Sequence, residues 1–164
     1  ADIETALTFL SDVGLLMQPT LVAFSPWLTL ACYLDLLKWI REKQLIQHIP
    51  AVQLSIRLLI PPNSALITQS SKNGHDSSCP TPSWLGALDA PNFTYRWQHP
   101  DPCMDELQRR VAQIAEQMAD ADAFATFAQI EQAAYALAGQ PAPAWTPPDI
   151  IPLPPPRLTE DWFC

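Results

Sequence analysis

Four cysteines, three histidines and one isolated arginine are the side chains through which this 164-residue chain could do chemistry. The cysteines (Cys32, Cys79, Cys103 and Cys164) show no CxxC or CxxxCxxC spacing, and with the histidines they complete no zinc-finger pattern. His48 falls between a helix and a strand, His75 in a polar stretch and His99 before Pro100. None has a Cys, Asp or Glu at ligand spacing on a common face, so solvated histidines are expected and no metal site. Asp105-Glu106 fits the favourable charge at a helix N-terminus, and Glu160-Asp161 a solvated tail. Cys32 lies within a helical pattern and is expected to be a small core residue. Glycine loops for phosphate, GxSxG and HExxH are absent from the sequence.

Arg57 stands out. It is the only charge between residues 44 and 71, and apolar residues flank it. A half-buried guanidinium needs an anion or several acceptors. A ligand carboxylate or phosphate would serve, and so would an acid on a neighbouring strand outside this chain. Cys164, after a Pro-rich stretch and an aromatic pair, is the other candidate: a mobile thiol or simply a free end.

The elements that must position these residues are expected as α/β. Residues 2–13 place Ile3, Ala6, Leu7, Leu10 and Val13 at helical spacing, and Gly14 follows as a stop. An apolar run from Leu15 to Phe24 predicts a strand, and Ser25-Pro26-Trp27 a turn. Thr29 is the expected N-cap of a helix over 29–43 with Leu30, Leu34, Leu37 and Ile40 on its buried stripe. Val52 to Ile60 predicts a second strand, so the segment has the span of one βαβ unit. In that strand Gln53, Ser55 and Arg57 would share one face. Two arrangements fit: an edge strand with this face in water, or a strand lining a ligand-bearing barrel. A long loop is expected over 69–100. Asp101 then caps a helix carrying Met104, Leu107, Val111, Ile114 and Met118. Asp122 caps another, carrying Phe124, Phe127, Ile130, Ala134 and Leu137 and ended by Gly139. The division is thus 1–68, a loop over 69–100, a helical extension over 101–140, and a Pro-rich acidic tail over 141–164.

Composition narrows the function classes. Nine basic residues face seventeen acidic ones for a net charge of −8, and only 16% of residues are charged. From residue 111 onward seven acids meet one base. This balance argues against nucleic acid and against an anionic membrane surface. Proline, at 18 residues, is about double its usual share, whereas 48% hydrophobic residues with six tryptophans exclude wholesale disorder. Pro26, Asp35 and Lys38 interrupt the one long uncharged run, so no membrane span is expected. With no signal-peptide pattern at its start, the chain is expected to be cytoplasmic with free thiols.

Five segments carry a resemblance. They are Pro19-Thr20-Leu21-Val22-Ala23-Phe24-Ser25-Pro26-Trp27-Leu28-Thr29-Leu30, then Tyr33-Leu34-Asp35, the run from Val52 to Pro62, the run from Phe93 to Pro102, and Leu158 to Cys164. Together they resemble the C-terminal part of radical S-adenosylmethionine (radical SAM) proteins, specifically the radical SAM proteins and selenoproteins with a Cys/Sec-Ala-Glu-Pro tail. The resemblance implies the last strands and helices of a partial (β/α)6 barrel followed by a helical extension and a Pro-rich tail. It implies a [4Fe-4S] cluster on a CxxxCxxC loop that binds S-adenosylmethionine and cleaves it reductively to a 5′-deoxyadenosyl radical, which abstracts hydrogen from a substrate. That loop is not in this sequence, so the chain alone is expected to be inactive, its partner being the N-terminal half of the same barrel. By the same resemblance Gln53, Ser55 and Arg57 would face substrate or cofactor in the lumen. Ser25 would sit where many members have a Gly-x-Pro-Gly-Glu turn, whose glycines and Glu are missing here. Cys164 would precede the family's Cys or selenocysteine, the latter encoded by UGA. The residues also fit other classes: a stand-alone interaction module with an acidic Pro-rich arm, or a redox protein using Cys164.

Overall fold

A computed structural model describes residues 2–15, 17, 19–68 and 82–148. His75, Cys79 and Cys164, with the tail beyond residue 148, lie outside the described residues. The described chain is mostly helical with one two-stranded hairpin, and no barrel is formed among these residues.

The helices follow their caps and apolar spacing closely. α1 spans Asp2–Asp12 and α2 Leu30–Glu42, the latter capped by Thr29, whose hydroxyl accepts from the Cys32 amide. α3 is one turn, Ala65–Thr68. α4 runs Pro102–Gln117 from the Asp101 cap, with proline in its first turn, where no amide donor is needed. α5 runs Ala123–Leu137, with the Asp122 carboxylate accepting from the Phe124 and Ala125 amides. Gly139 at φ +67° leaves the helix in the left-handed region that favours glycine.

Among the described residues the expected strands are mostly absent, and for Val52–Ile60 the reasons are local. Residues 51–55 wind into a 3₁₀ turn instead of opening Val52–Ile60 as a strand. Pro50 starts the turn at φ −54°, and the Ser55 hydroxyl donates back to the Val52 carbonyl at 2.8 Å, a local bond that competes with a ladder. The chain extends only from residue 56. There Phe24 and Arg57 form a single parallel bridge: the Phe24 amide donates to the Ile56 carbonyl at 2.9 Å and the Leu58 amide to the Phe24 carbonyl at 2.7 Å. α2 lies between the two bridged segments in sequence, and of the expected βαβ unit only this one rung forms. Another 3₁₀ turn, Ile46–His48, follows α2.

Within the expected loop the chain builds a hairpin, β1 (Leu85–Asp89) and β2 (Thr94–Trp97), antiparallel with Leu88 opposite Tyr95 and an irregularity after Leu85. β1 escapes a pattern-based reading because Gly86 and Ala87 give no alternating apolar pattern. The hairpin extends the bridge: the Tyr95 amide donates to the Ile60 carbonyl at 2.8 Å and the Trp97 indole to the Leu58 carbonyl at 2.8 Å.

The core joins α2, α4 and α5 with this extended segment. Tyr33, Leu37, Ile40, Leu107, Val111 and Ile130 are fully buried in it. Tyr33, absent from the expected stripe, donates its hydroxyl to the Leu54 carbonyl at 2.9 Å, and burial pushes its phenol well above the usual range. Cys32 is exposed rather than core, one position off the α2 stripe. α1 also departs from expectation. Its Leu7 and Leu10 are half-buried, but Ile3, Phe9 and Val13 face solvent, and a Lys43–Glu4 ion pair at 2.9 Å ties the helix to the end of α2. No described helix is long and apolar enough to cross a membrane.

Candidate functional site

Arg57 finds its anion inside this chain. Its guanidinium donates to Asp105 Oδ1 at 2.6 Å and to the Trp97 carbonyl at 2.9 Å, and lies 3.8 Å over the Trp97 ring. The other carboxylate oxygen of Asp105 accepts from the His99 amide at 3.0 Å. The His99 ring in turn meets the Leu28 carbonyl at 2.8 Å, while its Nδ1 accepts from the Asp101 amide at 2.9 Å. Asp105 sits in the first turn of α4, so the helix N-terminus, the hairpin and the bridged segment converge on one charge pair. Sequence spacing could not show this, because the partners are 48 residues apart.

The other residues named from the sequence are used locally. Gln53 Oε1 accepts from the Leu21 amide at 2.9 Å, ending the ladder below Phe24. Ser55 is buried, and its carbonyl accepts from the Gln108 side chain at 3.0 Å. Gln53 and Ser55 belong to the 3₁₀ turn and Arg57 to the bridge, so the expected alternation of the three along one strand face does not form. Ser25 opens the expected turn, its carbonyl accepting from the Leu28 amide at 3.2 Å. His48 Nδ1 meets the Met17 carbonyl at 2.8 Å. Cys32 and Cys103 are free and exposed, and no group of three Cys, His, Asp or Glu among the described residues could hold a metal ion. The described residues therefore do not fit an iron–sulfur cluster.

Sequence reasoning missed a second polar centre. Glu131 on α5 is 1% exposed and pairs with Arg41 near the end of α2. Its other oxygen accepts from the Trp145 indole at 2.6 Å. Trp145 lies in the Pro-rich segment after α5 and stands against Phe124 and Phe127, ring centroids 6.3 and 6.1 Å away. A cleft of about 460 Å³ opens between this segment and α5, and one of about 290 Å³ lies on the Arg41 side of Trp145. The buried Oε1 of Gln47, which lines the smaller cleft, has no hydrogen-bond partner among the described residues. The signal available in the sequence was a lone acid on the apolar face of α5, one position after Ile130.

Comparison with known proteins gives no match to a family model, to a curated protein or to a solved structure.

Proposed function

We propose that this chain is the C-terminal part of a radical SAM enzyme, contributing the closing edge of a partial (β/α)6 barrel and a helical extension. The observation that carries the reading is the parallel bridge between Phe24 and Arg57 across α2, the hydrogen-bond pattern of neighbouring strands in such a barrel. Two of the segments that carry the resemblance, 19–30 and 52–62, are the ones that this bridge joins. Exposed apolar side chains at Ile3, Phe9, Val22 and Leu59 fit a surface that the rest of the barrel covers. In this reading the cluster and S-adenosylmethionine belong to a CxxxCxxC segment outside this sequence. The 164 residues supply scaffold, with Arg57 and Asp105 holding the bridged segment to α4.

Anaerobic reconstitution of the 164-residue chain with iron and sulfide tests this. No stoichiometric cluster is expected by absorbance near 400 nm (roughly where thiolate-bound clusters absorb). A stoichiometric cluster held by Cys32, Cys79, Cys103 and Cys164 would overturn the reading. A second reading, an interaction module with a Pro-rich arm, is favoured by one specific observation: the seating of Trp145 on α5.

A further inference from the structure

Among the described residues after α5, Trp145 supplies the side-chain hydrogen bond and the aromatic contacts that seat the segment on the helix. Among the described residues, the last backbone hydrogen bond is from the Gln140 amide to the Tyr135 carbonyl, and residues 141–148 add none. Four of those eight residues are proline. They hold the arm extended and leave it few amides with which to pair. Trp145 supplies what the arm otherwise lacks: an indole N–H to a buried carboxylate oxygen and a ring against two phenylalanines.

The groove is selective for that chemistry. Glu131 is buried and satisfied on one oxygen by Arg41, so its other oxygen requires a donor whenever the groove is closed to water. A lysine would bring a second cation beside Arg41, and a phenylalanine would leave the oxygen bare. An indole brings a neutral N–H on a flat apolar body and fits between Phe124 and Phe127. Nothing in these contacts requires that the indole belong to the same chain.

We propose that this groove is an indole-recognition site whose occupant is exchangeable: Trp145 fills it in cis, and the same arm of a second copy fills it in trans once the cis arm lifts. Cis and trans docking make identical contacts, so only the effective concentration of the tethered arm favours the closed monomer. The proposal holds whether the chain is part of a barrel or an independent module.

The probe is a synthetic peptide of residues 140–148, Gln-Pro-Ala-Pro-Ala-Trp-Thr-Pro-Pro, with a copy in which alanine replaces its tryptophan. In the Trp145→Ala chain the peptide should bind saturably and at least about ten-fold more tightly than to the unmodified chain, because the tethered competitor is gone. The alanine peptide should not bind. Equal binding of both peptides, or no gain in the Trp145→Ala chain, overturns the proposal. Should Trp145→Ala fail to fold, the ¹⁵N-labelled unmodified chain decides. Millimolar unlabelled peptide should shift the Trp145 indole resonance toward its solvent-exposed position, and a resonance that stays in place contradicts exchange.

Discussion

Arg57 illustrates how a single side chain can be located by sequence while its role is not. Its isolation in an apolar stretch marks it as a charge in need of a partner, and the partner is Asp105, an acid already explained by the dipole of α4. With the two side chains 28% and 33% exposed, the pair is neither a surface ion pair nor a buried one. Arg57→Leu should therefore cost about 2 kcal/mol, between the values for exposed and buried pairs. Urea unfolding of the single variants and of Arg57→Leu with Asp105→Ala measures the coupling. About 1 kcal/mol of non-additivity is expected, and additivity within roughly 0.3 kcal/mol would show that the pair contributes nothing. Glu131 is the opposite case. A buried acid on an apolar helix face is visible as an anomaly, but its donors lie on α2 and on the arm, which no local pattern connects to it.

At the scale of elements, what the sequence makes legible depends on how local the determining interactions are. α2, α4 and α5 are legible because a cap and an apolar stripe agree within one segment, with Gly139 adding a stop for α5. Asp122→Ala tests the strongest of these caps, and loss of its bonds to Phe124 and Ala125 should lower stability by about 1 kcal/mol in chemical denaturation. The strand expected at 52–60 does not form because period-two alternation in Gln53, Ser55 and Arg57 is also compatible with a 3₁₀ turn followed by one paired residue, and Pro50 and Ser55 favour the turn. The hairpin is not legible in the sequence because Gly86 and Ala87 give β1 no alternating apolar pattern, and its anchor, the Tyr95 amide on the Ile60 carbonyl, is non-local. Acid acts on these elements through exposed carboxylates paired with basic side chains. Hydrogen bonds from Arg110 and Arg109 hold Glu106 below the ordinary carboxylate value of 4.5, and Lys43 does the same for Glu4. Each is more acidic folded than unfolded, so its contribution is complete above that value and disappears as pH falls through the lowered one. Glu4→Gln with Glu106→Gln should flatten the fall in melting temperature as pH drops below about 4.5. An unchanged acid limb would assign that fall to other groups.

For the whole molecule, the three-helix core explains why the described chain folds, and its uncovered apolar side chains show where it has no partner of its own. Ile3, Phe9 and Leu59 are 63%, 65% and 73% exposed. Leu59→Ser in the 164-residue chain should change stability by no more than about 0.5 kcal/mol. In a longer polypeptide that completes the barrel, the same change should cost more than about 1 kcal/mol, because the side chain is then covered. Equal small effects in both would favour an independent module. The α/β expectation gives way to a mostly helical fold with one hairpin because strand pairing is non-local, and of the expected parallel pairing only the Phe24–Arg57 rung forms among the described residues. The most direct measurement of the central claim is anaerobic turnover by the longer polypeptide that the proposal requires, with a CxxxCxxC segment ahead of these residues. Supplied with S-adenosylmethionine and dithionite, it should release 5′-deoxyadenosine and methionine, while the 164-residue chain alone releases neither. A reading frame with no such cysteine segment upstream, or a reconstituted longer polypeptide that forms no 5′-deoxyadenosine, would contradict the radical SAM assignment.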